Sequence, residues 1–170
     1  MEGKVTLNIP IHWQQRPFFH GTKLTCRVGE EERIPFYHEI CLENGLQYGF
    51  PWNDEESINK FFLQWNNAEK EISSCFKKRD RKNAGPLMVN QIGYFIEALF
   101  WGNGKPVRNL IALKQELANL EIKPVNLEER LEYLIDQPDL YISFVQLKEL
   151  ASEYKKKILK HYALQKTNKK

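Results

Sequence analysis

The run from Leu87 to Trp101 is apolar on almost every side when wound at 3.6 residues per turn, and a helix of that kind must be covered around most of its circumference. At 15 residues it is too short to span a bilayer, and it carries Glu97 and two amides, Asn90 and Gln91. It therefore reads as a core helix, and the rest of the chain must supply the elements that wrap it. Pro86 falls at its start, where a missing N–H costs nothing. Gly102 and Gly104 follow its end, where a left-handed residue can cap the last carbonyls.

Amphipathic segments lie on both sides of it. Pro35 opens a short helix from Phe36 to about Asn44, with Gly45 as its stop, and a turn follows around Gly49 to Trp52. The next helix is capped by Asn53 or Asp54, has acids in its first turn and ends in Lys77, Lys78 and Arg79. Its stripe of Ile58, Phe61, Phe62, Trp65, Ala68, Ile72, Cys75 and Phe76 recurs at threes and fours. Beyond the core helix, Leu110, Leu113, Leu117 and Leu120 mark a helix capped by Asn109. Asn126 and Glu129 have the spacing of a capping box, introducing Leu127, Leu131, Leu134 and Ile135. Pro138 and Asp139 start a last helix whose stripe is Leu140, Phe144, Leu147, Ala151, Tyr154, Ile158 and Tyr162.

Residues 1–35 alternate only over Val5 to Ile9 before Pro10 and Pro17 break the pattern. They carry Trp13, Phe18 and Phe19, rings too apolar for a free tail and each worth roughly 1.5–3 kcal/mol on burial. The expected architecture is all-α: a single-domain bundle of five or six helices around a central buried helix, with an irregular N-terminal arm. The arm, 1–35, packs on a helical domain of 36–164, and 165–170 form a disordered basic tail.

Composition narrows the class of protein. With 42% hydrophobic and 28% charged residues the chain is an ordinary globular sequence. It shows no signal peptide and no apolar run of 18 residues, which predicts a cytoplasmic protein without a membrane span. Three cysteines, Cys26, Cys41 and Cys75, are odd in number and scattered, as suits reduced thiols. Net charge is +3, but seven lysines and no acid follow Tyr154, so the body before them is slightly acidic.

Four constellations bear on function. On the core helix Asn90, Tyr94, Glu97 and Trp101 share one face, and a carboxylate there must be paired, hydrogen-bonded or protonated. They are the ligand-pocket candidates, the alternative being that this face meets solvent or that Glu97 serves a structural bond. No second catalytic partner stands at a fixed spacing, so no catalytic residue is assigned. The basic runs 77–82 (Lys77, Lys78, Arg79, Arg81, Lys82) and 155–170 (including Lys155, Lys156 and Lys157) could hold nucleic acid weakly and without sequence preference if they fell on one side. Both also fall at predicted helix ends, where cations suit the macrodipole of a C-terminus. Phe18, Phe19, Phe50 and Trp52 lie in loops and could offer a patch to a protein partner, though rings of that size usually fill cores. His38 and Cys41 are too few to make a metal site, and phosphate-loop, dinucleotide and nucleophile-elbow motifs are absent, so neither metal nor cofactor is expected.

Several spaced positions then form a recognisable set. Arg16-Pro17-Phe18-Phe19, Pro51-Trp52, Phe62 with Trp65, Lys78 with Asp80-Arg81, Lys123-Pro124-Val125-Asn126 with Glu129-Arg130, and Pro138-Asp139 with Tyr141, Phe144 and Gln146-Leu147 together resemble the YpoC-like family of Gram-positive bacteria. The resemblance implies a bacterial cytosolic helical protein and brings no catalytic residue with it. The leading expectation is a non-catalytic helical module acting through an unknown protein partner. Weak nucleic-acid association, and a small-ligand binder or enzyme centred on Glu97, are the alternatives.

Overall fold

A computed structural model describes residues 3–46 and 51–169 of the chain, with the side chains of Glu32 and Asn53 excepted. Six α-helices dominate the described residues: α1 (Tyr37–Glu43), α2 (Glu55–Lys77), α3 (Arg81–Gly102), α4 (Leu113–Ala118), α5 (Leu127–Asp136) and α6 (Tyr141–Asn168). They are preceded by a two-stranded antiparallel sheet, β1 (Lys4–Asn8) with β2 (Lys23–Arg27), in the register Leu7 opposite Leu24. The chain is an all-α bundle around a central buried helix, with this hairpin as its N-terminal arm. No helix among the described residues is long and apolar enough to cross a membrane.

The centre of the bundle is α3, where Met88, Ile92, Phe95, Ile96 and Leu99 are all fully buried. It begins earlier than its apolar pattern implies. Asp80 is the N-cap and accepts the Asn83 backbone N–H at 3.2 Å, so Pro86 lies inside the helix and does not open it. The first turn, from Arg81 to Asn83, is exposed, which is why hydrophobic periodicity cannot reveal it. The link from α2 is only Lys78, Arg79 and Asp80, with Arg79 in the left-handed region at φ 56°. The two helices therefore run back against each other as a helical hairpin.

Helix α6 closes the other side, antiparallel to α2. Phe144 stacks on Phe76 at 5.6 Å, Lys148 pairs with Glu69 at 3.1 Å, and Lys166 pairs with Glu55 at 3.3 Å. Its start is at Tyr141, two residues past the predicted Asp139, whose carboxylate receives Arg81 from the start of α3 at 2.8 Å. The helix continues through Asn168, beyond Gln165, where the sequence pattern places the onset of a tail.

Two predicted caps take other forms. Asn109 does accept backbone N–H groups, from Ile111 and Ala112 at 2.8 and 3.0 Å, but the helix proper starts only at Leu113. Asn126 stands before α5 at φ 53° and makes no side-chain cap bond, so the predicted capping box is not formed. The left-handed backbone at Asn126 replaces the extended geometry that a capping side chain needs. The neighbouring acid Glu128 instead pairs with Lys123 at 2.6 Å.

The arm is fastened to the body by polar and aromatic groups together. The Asn44 side chain accepts the Asn8 backbone N–H at 3.0 Å and donates to its carbonyl at 2.8 Å. The Leu110 N–H donates to the His12 carbonyl at 3.0 Å, and the Trp13 indole donates to Glu43 at 3.2 Å. Trp13 is fully buried against Phe36, their ring centres 5.6 Å apart. Strand β2 lies in the segment that the sequence pattern leaves irregular. It shows the alternation of a half-buried strand, with Cys26 buried and Leu24 half-buried, but no tight turn announces its pairing with β1.

At its far end α3 depends on close approach. A Cβ at Gly102 would stand 1.8 Å from the Tyr154 hydroxyl, and that buried hydroxyl donates to the Ala98 carbonyl at 2.8 Å. Gly102→Ala is therefore expected to destabilise the protein by about 1–3 kcal/mol, the usual cost of forcing an atom into a packed core. Urea unfolding should show the Gly102→Ala/Tyr154→Phe double variant losing less than the sum of its two single variants, because both act on one collision.

Candidate functional site

A cleft of about 410 Å³ opens between α1, α2 and α3. Its walls include His38 from α1, Lys60 and Phe61 from α2, and Tyr94, Glu97 and Trp101 from α3. Tyr94, Glu97 and Trp101 are thus brought together as the helical spacing predicts. Asn90 is not with them. It is exposed and lines a separate hollow of about 150 Å³ beside Phe18, Phe19 and Pro35. A helix turns 100° per residue, so four residues spaced over three turns drift off one narrow line.

Glu97 is 4% exposed and accepts the Phe36 backbone N–H. That amide is presented by an unusual backbone. Phe36 is the residue before α1 and lies in the left-handed region at φ 67°, while its ring is fully buried among Trp13, Phe18 and Phe19. One turn back along α3, Gly93 lets Pro35 approach, since a Cβ there would meet the proline Cβ at 2.6 Å. The arm's aromatic cluster thereby holds the amide against α3.

A second carboxyl, unforeseen in the sequence, sits behind the first. Glu39 of α1 is 1% exposed. Its Oε1 accepts the Trp101 indole N–H at 2.7 Å and the Val107 N–H at 3.4 Å, while its Oε2 has no hydrogen-bond partner. Trp101 is one turn along α3 from Glu97, so the two carboxyls are brought to the same stretch of that helix. Among the described residues, none of the ion pairs includes either of them.

Burial without a counter-charge sets the protonation of the pair. Burial pushes the Glu39 carboxyl up to about 7, opposed by the Trp101 indole and the backbone donors. Burial also holds Glu97 well above the usual carboxylate range. The neighbouring Glu39 charge raises it further, and the Phe36 N–H opposes both. Two interacting carboxyls in one dry space titrate as a unit, and such a unit keeps at least one proton near neutrality. A carboxyl poised there can hold a donor, accept a cation or move a proton.

The other candidate groups lie apart from this cleft. Lys77, Lys78, Arg79, Arg81 and Lys82 are all exposed around the α2–α3 turn, but only Lys77 is in the last turn of a helix. Arg81 and Lys82 open α3, where the macrodipole disfavours cations, and Arg81 is paired with Asp139. The predicted placement at helix C-termini therefore fails for these two. Lys155, Lys156 and Lys157 are exposed on α6. Tyr141, which packs on Phe76 near the first run, is fourteen residues before Lys155. At 1.5 Å per residue Lys155 lies roughly 20 Å along α6 from the end that meets the first run. Phe19 and Trp52 are buried, Phe18 is half-buried edge-on to Phe36, and Phe50 lies outside the described residues. Among the described residues no three His, Cys, Asp or Glu side chains converge as a metal site.

The sequence profile described as YpoC-like protein matches residues 55–166, which spans α2 to α6 and includes Glu97. The chain belongs to the YpoC-like family. It is also 30% identical to the uncharacterized protein YpoC of Bacillus subtilis (strain 168) over 131 residues, covering 76% of this chain and 79% of that one. No solved structure matches it significantly. The YpoC-like profile begins at Glu55, so Glu39, Phe36 and the whole arm fall outside the matched segment.

The raised carboxyls predict a definite pH dependence. Both bind protons more tightly folded than unfolded, so their stabilisation is complete below about pH 4.5 and is lost as pH rises through about 7 and beyond. Urea unfolding should show stability falling by on the order of 2 kcal/mol between about pH 5.5 and about pH 8. In Glu39→Gln and Glu97→Gln, which retain an oxygen acceptor, that slope should flatten.

Proposed function

We propose that this YpoC-like protein is a non-catalytic binding module whose cleft between α1, α2 and α3 takes a small ligand, with Glu97 as the polar anchor. The observation that carries this reading is a nearly buried carboxyl, Glu97, lining a cleft of about 410 Å³ whose walls are rich in aromatic rings. Small-molecule sites combine an apolar hollow of a few hundred Å³ with a small number of fixed polar groups and ionisable groups shifted from their usual range. Tyr94, Trp101 and Phe61 supply the apolar surface and Glu97 the orienting group.

The readings built on other surfaces draw less support. A protein-partner patch at Phe18, Phe19, Phe50 and Trp52 would need rings that the chain already uses internally, since Phe19 and Trp52 are buried. A nucleic-acid surface would need the two basic runs to act together, and they stand near different parts of α6. The same reading keeps the arm of residues 1–35 in one functional unit with the helices, because its rings hold the amide that Glu97 accepts. It places the protein in a reducing bacterial cytoplasm, as suits the free and buried Cys26 and Cys41.

A fragment screen by ligand-observed NMR, with binding mapped on amide shifts, tests the proposal. Hits should shift amides of Phe61, Tyr94, Glu97 and Trp101 and weaken in Tyr94→Leu. A ligand at about 100 times its Kd should add about 2.7 kcal/mol to stability. Hits that spare those amides, or no hits at all, would overturn the cleft as a ligand site.

A further inference from the structure

We infer that the ligand of this cleft is an organic primary ammonium on a short apolar stem, its headgroup seated on Glu97 with Glu39 behind. The inference rests on the ligand-binding reading above and names the chemical class that the site selects. Two carboxyls buried to 4% and 1% exposure stand together without a cation among the ion pairs of the described residues. Of the two, only Glu97 lines the cleft, and Glu39 stands behind it with its Oε2 buried and without a hydrogen-bond partner. A donor that a ligand brings to Glu97 offsets part of the cost of holding this acidic pair out of water.

The walls favour a cation over a neutral or anionic molecule. Glu31 and Asp54 join Glu97 among the lining groups, against Lys60 and His38 as basic ones. An anion would meet the acidic side chains of Glu31 and Asp54 on entry. An ammonium is attracted by them, and the rings of Phe61, Tyr94 and Trp101 line the same cleft, where an aromatic face adds a cation–π attraction. A bare metal ion is a poorer fit, because no three metal-ligating side chains converge among the described residues. An apolar stem fits the same rings, and the cleft volume is ample for one aromatic ring with a short chain.

Charge balance gives the proposal a signature that simple packing would not produce. Near neutrality the pair holds a proton, for the reasons of burial and mutual repulsion given above. An ammonium arrives already protonated, so its docking displaces that proton from the carboxyl to solvent. The groups facing the pair are Phe36 N–H, Val107 N–H and the Trp101 indole, with His38, Tyr94, Lys60, Glu31 and Asp54 lining the cleft. Amine affinity should therefore rise with pH across the neutral range, as the pair comes to hold less proton of its own.

Isothermal titration calorimetry on the full chain with phenethylamine, 2-phenylethanol and phenylacetate decides the matter, run in two buffers of different protonation enthalpy. The expected result is binding of phenethylamine alone, with release of close to one proton per ligand, and a loss of at least about tenfold in Glu97→Gln. Proton release is read on the unmodified protein, so it remains decisive if the variant folds poorly. Binding of phenylethanol or phenylacetate at the cleft amides in preference to the amine would overturn the ammonium inference and leave the ligand-binding reading standing. Amine binding without proton release and unchanged in Glu97→Gln would also overturn it. Failure of all three probes, together with an empty fragment screen, would remove both.

Discussion

Everything in this bundle follows from a helix that no single neighbour can cover. Most of α3 from Met88 to Phe100 is buried, including a carboxyl, an amide and two close-approach glycines nearby. An amphipathic partner hides only one stripe of such a rod. The chain answers by pairing α3 with α2 through a three-residue link, laying α6 across the pair, and bringing the arm and α1 over the remaining side. The site arises where that last cover is least apolar, because α1 and α3 each bring a carboxyl to their shared boundary.

The polar groups at this boundary explain why the arm is more than a loose extension. Glu97 accepts a backbone amide whose position depends on Phe36, and Phe36 is in turn fixed by three aromatic side chains of the arm. The left-handed backbone of Phe36 is an uncommon state for a bulky residue. It is held by packing on one side and by the carboxyl on the other. Hydrophobic and electrostatic cohesion are therefore not separable here, since the rings that close the core also aim the donor.

What could be read in the sequence follows from how local each signal is. The core helix, the stripes of α2 and α6 and the suspicion attached to Glu97 all rest on spacing within one element, and each element forms. Pro86 misleads because the turn before it is exposed and polar, so its only marker is Asp80 as a cap. Asn126 misleads because a capping side chain needs an extended backbone, and the backbone there is left-handed. Glu39 is illegible for a different reason. It sits on a seven-residue helix with too few turns to define a face, and its partners are 58 or more residues away. The pairing of β1 with β2 is similarly remote, with fourteen residues between strands and no tight turn.

Trp101 has a double position that its modest exposure conceals. It lines the cleft beside Glu97 and also a hollow of about 490 Å³ bounded by Trp52, Glu121, His161 and Tyr162. The indole is latched by the 2.7 Å bond from its nitrogen to Glu39. Swinging that side chain would strip a buried acceptor of its donor, so the shape of both hollows is tied to the burial of one carboxyl.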